Sequence, residues 1–249
     1  MLDVAIDAAK QAGELALKYF KSQPKVSYKA DKSPVTIADL ETEKLIRRII
    51  NRKFPDHGII GEELPPVNPK ADYQWVIDPI DGTRDFIRRI PFWANYIAVL
   101  KNNKPIMGVI FLPILGDMIT SQKGNGTFLN DQKVHVSKTK KLEEAYISHG
   151  QIKRFVSIGK KNQLLNLAII VRSSRNYGNF GLKLLLEGKI DAVLEAGGGF
   201  HDFAAPKIIV EEAGGKFSDF SGKNLLTSGN GIWTNKLLHN QVLKILNSR

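Results

Sequence analysis

The spacing of apolar residues along the chain predicts helices that alternate with short strands. Residues 1–21 carry apolar side chains at helical intervals, which predicts an amphipathic helix that ends before Pro24. Thr36, followed three residues later by Asp39, is a variant of the capping box and marks the start of a second helix. Each helix has an apolar face that must pack against another layer.

The middle of the chain predicts strands. Residues 75–77 are a short apolar run that predicts the end of a buried strand, and Pro79 is expected to direct the chain out of the sheet there. A turn at residues 55–58 leads into another short strand at 59–60. Further strand-like runs joined by turns predict an antiparallel meander, with strands at 94–100, 106–112 and 117–121.

A second α/β half is predicted to begin near Lys140. Glu195 leaves a strand and enters a run of three glycines, and Asp202 is expected to cap the helix that follows. The other elements predicted in this half are strands at 168–172, 190–195 and 231–234 and helices at 180–186 and 236–246. We assign the halves to residues 1–139 and 140–249 of a single domain spanning 1–249.

Composition is that of an ordinary globular protein, with 43% hydrophobic and 24% charged residues. No run approaches the roughly 18 apolar residues that cross a bilayer, and charges interrupt any N-terminal apolar segment. The absence of cysteine removes thiol nucleophiles and zinc-thiolate sites and agrees with a cytoplasmic protein. The net charge of +11 is spread in short clusters, which favours a basic rim for anionic substrates over a nucleic-acid partner.

The segment from Asp78 to Thr83 concentrates groups that suit a metal and a phosphate. Two carboxylates, Asp78 and Asp81, and the Ile80 carbonyl can face one point on a loop after a rigid strand, an all-oxygen environment that Mg²⁺ prefers. Gly82 allows close approach of the backbone, and Thr83 is expected to be the N-cap of a following helical turn. Free amides there would face an anion beside the metal.

Acidic residues elsewhere each have two interpretations. Asp39 caps a helix, or it pairs with the Thr83 hydroxyl to orient and deprotonate a water. Glu62 and Glu63 follow a buried strand, where two acids form either a solvated loop end or part of a metal site. Asp202 caps a helix, or it supplies a third metal carboxylate from the far half and places the site in a cleft.

Basic residues and histidines add less. Lys29 and Lys32, in a basic loop after the first helix, are either solvated or lean over an anionic site. His135 and His149 have no partner at metal-binding spacing, so we do not expect them to be metal ligands.

Three motifs follow one another along the chain: Gly61-Glu62-Glu63, WVIDPIDGT at residues 75–83, and HDFAAPKIIVEEAGG, which contains Asp202. With SPVTIAD ahead of them, they make the whole chain resemble the inositol monophosphatase superfamily of Mg²⁺-dependent, Li⁺-sensitive phosphatases. The resemblance implies two or three Mg²⁺ ions, inhibition by Li⁺ and a homodimer. It also implies an α/β (α+β) fold, a layered αβαβα sandwich with mostly antiparallel sheets like those of inositol monophosphatase and fructose-1,6-bisphosphatase.

The resemblance carries roles to individual positions. The metal ligands of the superfamily match Glu62, Asp78, the Ile80 carbonyl, Asp81 and Asp202. Gly82 and Thr83 match the phosphate-binding backbone, and Asp39 with Thr83 matches the pair that activates the attacking water. The resemblance also makes Glu62 a candidate catalytic residue, together with Asp39 and Thr83. Glu195 falls where the family places a contact to a substrate hydroxyl or amine.

Substrate choice depends on a different set of positions. Arg84, directly after Asp-Gly-Thr, and Arg175, before the second-half helix, are candidate substrate contacts. Together with Pro91-Phe92-Trp93, the run from Arg175 to Phe180 and the ending WTNKLLHNQVL, they make the chain resemble the branch that includes histidinol-phosphate phosphatases. Inositol monophosphatase itself is the close rival. The chain departs from common patterns at Asp85, where many members have Asn, at His201, where Trp is usual, and at Asn179, often acidic in the histidinol-phosphatase branch.

The sequence therefore predicts an Mg²⁺-dependent phosphomonoesterase that hydrolyses a small phosphorylated metabolite with a metal-activated water. Histidinol phosphate and inositol monophosphate are the expected substrates. The alternatives are fructose 1,6-bisphosphate, 3′-phosphoadenosine 5′-phosphate, or a non-enzymatic RNA- or protein-binding regulator on the same scaffold.

Overall fold

The structure, a computed structural model, describes residues 1–22, 24–30 and 33–248; Lys32 lies outside them. The helices are α1 (Leu2–Ser22), α2 (Ile37–Lys53), α3 (Thr83–Ile87), α4 (Ile152–Ser157), α5 (Lys161–Ile170), α6 (Phe180–Leu186), α7 (Phe200–Glu212) and α8 (His239–Leu246). The strands of the first half are β1 (Val26–Tyr28), β2 (Pro34–Thr36), β3 (Gly58–Gly61), β4 (Tyr73–Asp81), β5 (Ala94–Lys101), β6 (Lys104–Leu112), β7 (Asp117–Gln122), β8 (Gly126–Leu129) and β9 (Gln132–Val134). Those of the second half are β10 (Tyr146–His149), β11 (Ser173–Arg175), β12 (Ala192–Ala196), β13 (Lys216–Ser218) and β14 (Asn230–Thr234).

A seven-stranded sheet forms the first half, with strands in the order β3-β4-β5-β6-β7-β8-β9. Only the β3–β4 pair is parallel, and the remaining neighbours form the predicted antiparallel meander. One face of the sheet packs on α1 and α2, through small residues such as Ala5 and Ala12 and larger ones such as Ile46. The small alanines let α1 lie close to the sheet.

A five-stranded mixed sheet forms the second half, in the order β11-β10-β12-β14-β13. Strand β10 runs parallel to both of its neighbours, whereas β12, β14 and β13 are antiparallel. Helices α6 and α7 lie between the two sheets, where Ile208 and Ile209 share one apolar cluster with residues of both. Helices α4, α5 and α8 cover the outer face of the second sheet. The layers are those of the predicted αβαβα sandwich.

Two element predictions were wrong. Strand β4 does not end before Pro79 but continues to Asp81, with an irregularity in its pairing to β5 between Asp78 and Asp81. Pro79 is tolerated because β3 ends at Gly61, opposite Ile77, so the proline removes no ladder hydrogen bond on that side. Both carboxylates therefore stand on the irregular end of a paired strand and not on a free loop.

Residues 168–172 are not a strand, because residues up to Ile170 form the end of α5. The side chains of Leu164 and Leu167 are buried on one helical face, while Ile169 is 81% exposed. A short apolar run does not distinguish a strand from a helix, and here the periodic burial decides for the helix. Among the described residues, no helix has the length and apolarity needed to cross a membrane.

Candidate active site

The end of β4 brings two carboxylates together. Asp78 is buried, and its Oδ1 accepts a hydrogen bond from the Ile80 amide at 3.1 Å. One carboxylate oxygen each from Asp78, Asp81 and Asp202 lies within 4.8 Å of the others. The bulge in β4 turns both of its aspartates to the same side, and α7 supplies the third from the other half of the chain.

Gly82 and Thr83 form the turn from β4 into α3, but not in the predicted roles. Gly82 is the N-cap, with φ of 90°, and Thr83 is the first helical residue. A Cβ at position 82 would also lie 3.1 Å from the Phe92 carbonyl oxygen, so both the positive φ and the lack of space favour glycine. The Thr83 hydroxyl does not cap the helix; it lies 3.2 Å from the Ile80 carbonyl and 3.4 Å from Asp39 Oδ1.

Asp39 caps α2 and also lies beside Thr83. Its Oδ2 accepts hydrogen bonds from the backbone amide and the hydroxyl of Thr36, both at 2.8 Å, which completes the capping box of α2. Its Oδ1 faces Thr83. Helix capping therefore orients the carboxylate toward the end of β4, and its burial raises its pKa above the usual range.

Glu62 and Glu63 reach the site from the end of β3. The Lys29 ammonium lies 2.7 Å from Glu62 Oε1 and 2.6 Å from Glu63 Oε1, so this lysine leans over the acidic site and is not simply solvated. Burial raises the pKa of Glu63 to about 7, although the bond from Lys29 acts in the opposite direction.

His201 is a site residue that the sequence did not predict as a ligand. One ligand atom each from Glu62, Asp78 and His201 lies within 4.8 Å of the others. His201 Nε2 is 4.0 Å from Glu62 Oε1 and 3.8 Å from Asp202 Oδ2. The only signal in the sequence was its place directly before Asp202, because no second histidine stands at a metal-binding spacing.

Asp202 stands at the third position of α7 and not at its N-cap. The N-cap is Gly199, whose amide donates a hydrogen bond to the Asp202 carboxylate. The helix therefore begins three residues earlier than predicted, at Phe200. The Gly199 N-cap has no side chain, and its backbone amide is satisfied by the carboxylate of Asp202 within the first turn.

The acidic cluster is too dense to be fully ionised by itself. Burial and the neighbouring charges of Glu62 and Asp81 raise the pKa of Asp78 well above its usual range. Burial and Asp202 do the same to Asp81. Carboxylates that repel one another in a buried site are stabilised in their ionised form by a cation. This donor set, mainly carboxylate oxygens with one imidazole at its edge, fits Mg²⁺.

A cleft of about 900 Å³ opens over the cluster and is lined by both halves. Arg84 lies exposed at its rim, and Glu195 forms part of the far wall. Arg175 is exposed at the end of β11 and is not among the described residues that line the cleft, so the structure does not bring this predicted contact to the site. Asn179, on the other half, donates a hydrogen bond to the Asp81 carbonyl at 2.7 Å and ties the two walls together.

Glu195 is held over a glycine. A Cβ on Gly150 would come within 1.9 Å of Glu195 Oε2, so the carboxylate occupies the space that a side chain would take. Burial raises the pKa of Glu195 to about 8, against the effect of the nearby Arg154 guanidinium. Arg154 donates to the Gly197 carbonyl at 2.8 Å and also lines the cleft.

Known proteins resemble the chain along nearly its whole length. The profile of the Inositol monophosphatase family matches residues 1–249. The chain belongs to the inositol monophosphatase family. It is 32% identical to the histidinol-phosphatase of Mycobacterium tuberculosis, over 99% of this chain and 98% of that protein. The Nus factor SuhB of Pasteurella multocida is 32% identical over 92% of this chain and 89% of its own length.

A solved structure of this family also matches. The Thermotoga maritima IMPase superposes with a TM-score of 0.90 at 32% identity, covering 99% of this chain and 96% of that one. Membership of the inositol monophosphatase family and the sandwich fold are therefore confirmed, and the chain is a phosphatase of this family. These similarities leave the substrate open, because relatives of comparable identity carry different names.

Proposed function

We propose that the protein hydrolyses a small phosphomonoester with Mg²⁺ as its cofactor. The observation that supports this most is the clustering of four carboxylates, from Glu62, Asp78, Asp81 and Asp202, in two groups that share Asp78 and line one cleft beside the β4–α3 turn. These acids come from three different elements and both halves of the chain. Such a cluster is costly to bury without a cation, and a phosphate beside it would be bound through the same ions.

The ions would be held by Glu62, Asp78, the Ile80 carbonyl, Asp81 and Asp202. When bound, Mg²⁺ neutralises phosphate oxygens, lowers the pKa of a bound water and stabilises the leaving alkoxide. Asp78 belongs both to the group with Asp81 and Asp202 and to the group with Glu62 and His201, an arrangement that would suit more than one ion, with His201 at the edge of the site.

The chain's own residues orient the phosphate and the water. The backbone at Gly82 and Thr83, in the first turn of α3, presents amides that lack partners within the helix to a phosphate oxygen. Thr83 Oγ1 takes a proton from the attacking water while its own proton passes to Asp39 Oδ1, the acceptor it already faces. The water oxygen bonds to phosphorus as the P–O bond to the substrate alkoxide breaks, and the alkoxide takes up a proton from solvent while Asp39 later returns its proton to solvent. The products are inorganic phosphate and the free alcohol.

Histidinol phosphate and inositol monophosphate are the proposed substrates, since relatives carry the corresponding names. Glu195 would contact a hydroxyl or an amine on the alcohol part of the substrate, and Arg84 would contact the substrate from the rim of the cleft. Inhibition by Li⁺, a homodimer and a cytoplasmic location remain predictions.

A panel of monoesters tests the proposal. Phosphate release is measured from histidinol phosphate, inositol 1-phosphate, fructose 1,6-bisphosphate and 3′-phosphoadenosine 5′-phosphate, with Mg²⁺ and with a chelator. We expect turnover of one of the first two that depends on Mg²⁺. Release that is unaffected by the chelator would contradict the metal mechanism.

A regulatory role is the second candidate, favoured by the basic surface and by the relative named as a Nus factor. Titration of the protein against RNA across a range of salt concentrations distinguishes specific RNA binding from non-specific attraction to the RNA backbone, because binding through phosphate contacts alone weakens steeply with salt. Salt-resistant binding of one RNA sequence, without phosphatase activity, would favour the regulator.

A further inference from the structure

A stripe of buried charge runs along α2. Asp39, Glu43 and Arg47 recur every four residues, so they lie on one helical face. Their exposed fractions are 0%, 0% and 9%. Buried ionised groups are costly unless they are paired and hydrogen-bonded. Asp39 belongs to the proposed water-activating pair, which leaves the Glu43–Arg47 pair without a role in the proposed function.

Glu43 binds the backbone of the segment that carries Glu62. Its Oε2 accepts the Glu63 amide at 2.7 Å, and its Oε1 accepts the Leu64 amide at 3.2 Å. On the other side of Glu62, the carboxylate lies against Gly61, where a Cβ would come within 2.0 Å of Glu43 Oε1. The chain is therefore held against Glu43 both before and after Glu62.

Arg47 binds the same segment through its carbonyls. Its Nε and Nη2 each lie 2.7 Å from Glu43 Oε1, its Nη1 donates to the Pro65 carbonyl at 2.9 Å, and its Nη2 donates to the Leu64 carbonyl at 2.9 Å. A planar guanidinium can make all of these contacts at once, whereas a lysine ammonium cannot. The two side chains form a clamp on residues 63–65, which we call the Glu43–Arg47 clamp.

We propose that Glu43 and Arg47 are positioning residues for Glu62, and that their clamp sets the affinity of the site for a divalent cation. The inference rests on the proposed metal role of Glu62. Asp39 and Glu43 stand one turn apart on α2, so a single rigid helix fixes both the water-activating carboxylate and the loop of the metal carboxylate. Groups that orient metal ligands typically change metal affinity by about 10–100-fold.

The test measures binding of Mg²⁺ to the purified full-length protein by calorimetry, without substrate. Glu43→Gln is expected to weaken binding of Mg²⁺ by roughly tenfold or more. Each oxygen of the Glu43 carboxylate accepts one backbone N–H, whereas the glutamine side chain has only one acceptor oxygen and its NH₂ group is a donor. Arg47→Lys should show a smaller loss, since it keeps the charge but not the fork. The control is Glu41→Gln on the exposed side of α2, where Glu41 pairs only with Lys44 among the described residues; it should bind as the wild type does.

A double-mutant cycle with Glu62→Gln separates positioning from a general effect on structure. If Glu43 acts through Glu62, Glu43→Gln should weaken binding less than about twofold further once Glu62 is replaced. An undiminished effect in the Glu62→Gln background, or wild-type affinity in Glu43→Gln, would overturn the inference. If Glu43→Gln does not fold, Arg47→Lys takes its place in the double-mutant cycle with Glu62→Gln, and the same comparison of Mg²⁺ affinities applies. A wild-type protein that binds no Mg²⁺ would instead contradict the proposed function.

Discussion

The Thr83 hydroxyl lies 3.4 Å from Asp39 Oδ1, although the two residues are 44 positions apart in the chain. Asp39 is fixed by the capping box of α2, and Thr83 by the turn at the end of β4. Because both are held by backbone geometry, the pair is assembled before any substrate binds. Preorganised groups of this kind contribute to the rate more than to substrate binding.

Thr83→Ala is therefore expected to lower kcat by about 100-fold or more and to change KM much less, since general-base assistance contributes roughly 10²–10⁴-fold. Steady-state kinetics on the substrate identified by the monoester panel measure both constants. Thr83→Ser keeps the hydroxyl and should recover most of the rate. A large rise in KM with kcat unchanged would make Thr83 a binding residue.

Asp81→Asn and Asp202→Asn are expected to abolish turnover while leaving the fold intact. Each removes one charge from a cluster whose members repel one another, so the metal-free protein should lose no stability. Loss of an anionic ligand should weaken Mg²⁺ binding. Circular dichroism, unfolding in the presence of a chelator and calorimetric titration with Mg²⁺ measure these effects.

Asp131→Asn is the matched control for those variants. Asp131 is exposed in the β8–β9 turn at a φ of 64°, a conformation that asparagine adopts readily. It should retain full activity. Most of the activity surviving in Asp81→Asn would contradict the assignment of this carboxylate to the metal.

Much of the site could be predicted because its residues lie in contiguous motifs with a local physical signal. The capping box at Thr36 and Asp39 and the acids of residues 75–83 are of this kind. The prediction at Pro79 was wrong because a proline ends a strand only where its missing amide would have been paired. Strand β3 stops opposite Ile77, before Pro79, and where a neighbouring strand stops cannot be predicted from the local sequence.

Contacts between distant segments could not be predicted. Lys29 meets Glu62 and Glu63 across 33 and 34 positions, and no spacing rule indicates that pairing. The stripe of Asp39, Glu43 and Arg47 did have a signal, since charges recurring every four residues share a helical face. The spacing does not show that these charges are buried, and it is their burial that distinguishes the stripe from a solvated helix face; only the packing of α2 reveals it.

Lys29 should compete with a cation for the proposed metal site. Its ammonium contacts both glutamates, and those contacts raise its pKa despite the opposing effect of burial, so it is charged at neutral pH. Lys29→Gln should therefore bind Mg²⁺ about three- to tenfold more tightly, a gain of about 1 kcal/mol for removing one screened charge. Calorimetric titration measures this, with exposed Lys44→Gln as the control. Weaker binding in Lys29→Gln would show that the lysine supports the metal site.

Gly150→Ala should impair substrate binding without affecting the metal. The added Cβ would occupy the position of Glu195 Oε2 and displace the carboxylate from the cleft wall. We expect KM to rise about fivefold or more, with Mg²⁺ affinity unchanged, because a buried hydrogen-bonding group left without its partner costs about 1–3 kcal/mol. Ser157→Ala, in the same wall, is the control. An unchanged KM would remove Glu195 from the proposed substrate contacts.

His239 should make the stability of the fold depend on pH. Its Nε2 lies 2.9 Å from the Ser218 hydroxyl and its Nδ1 3.0 Å from that of Thr234, and burial lowers its pKa from 6.5 to about 4. The unfolded chain takes up a proton below pH 6.5, whereas the folded protein does so only near pH 4. The contribution of neutral His239 is thus complete above pH 6.5 and is lost as the pH falls toward 4.

Urea unfolding measured between pH 7.5 and 4 tests this dependence. The wild-type free energy of unfolding should fall as the pH drops below 6.5, with a His239 contribution of at most about 1.4 kcal/mol per pH unit. His239→Gln should be less stable at pH 7.5, because it loses hydrogen bonds to Ser218 and Thr234, but its free energy should fall less between pH 6.5 and 4. His135→Gln, at an exposed position, should follow the wild type. Equal slopes in the wild type and His239→Gln would assign the acid sensitivity to other groups.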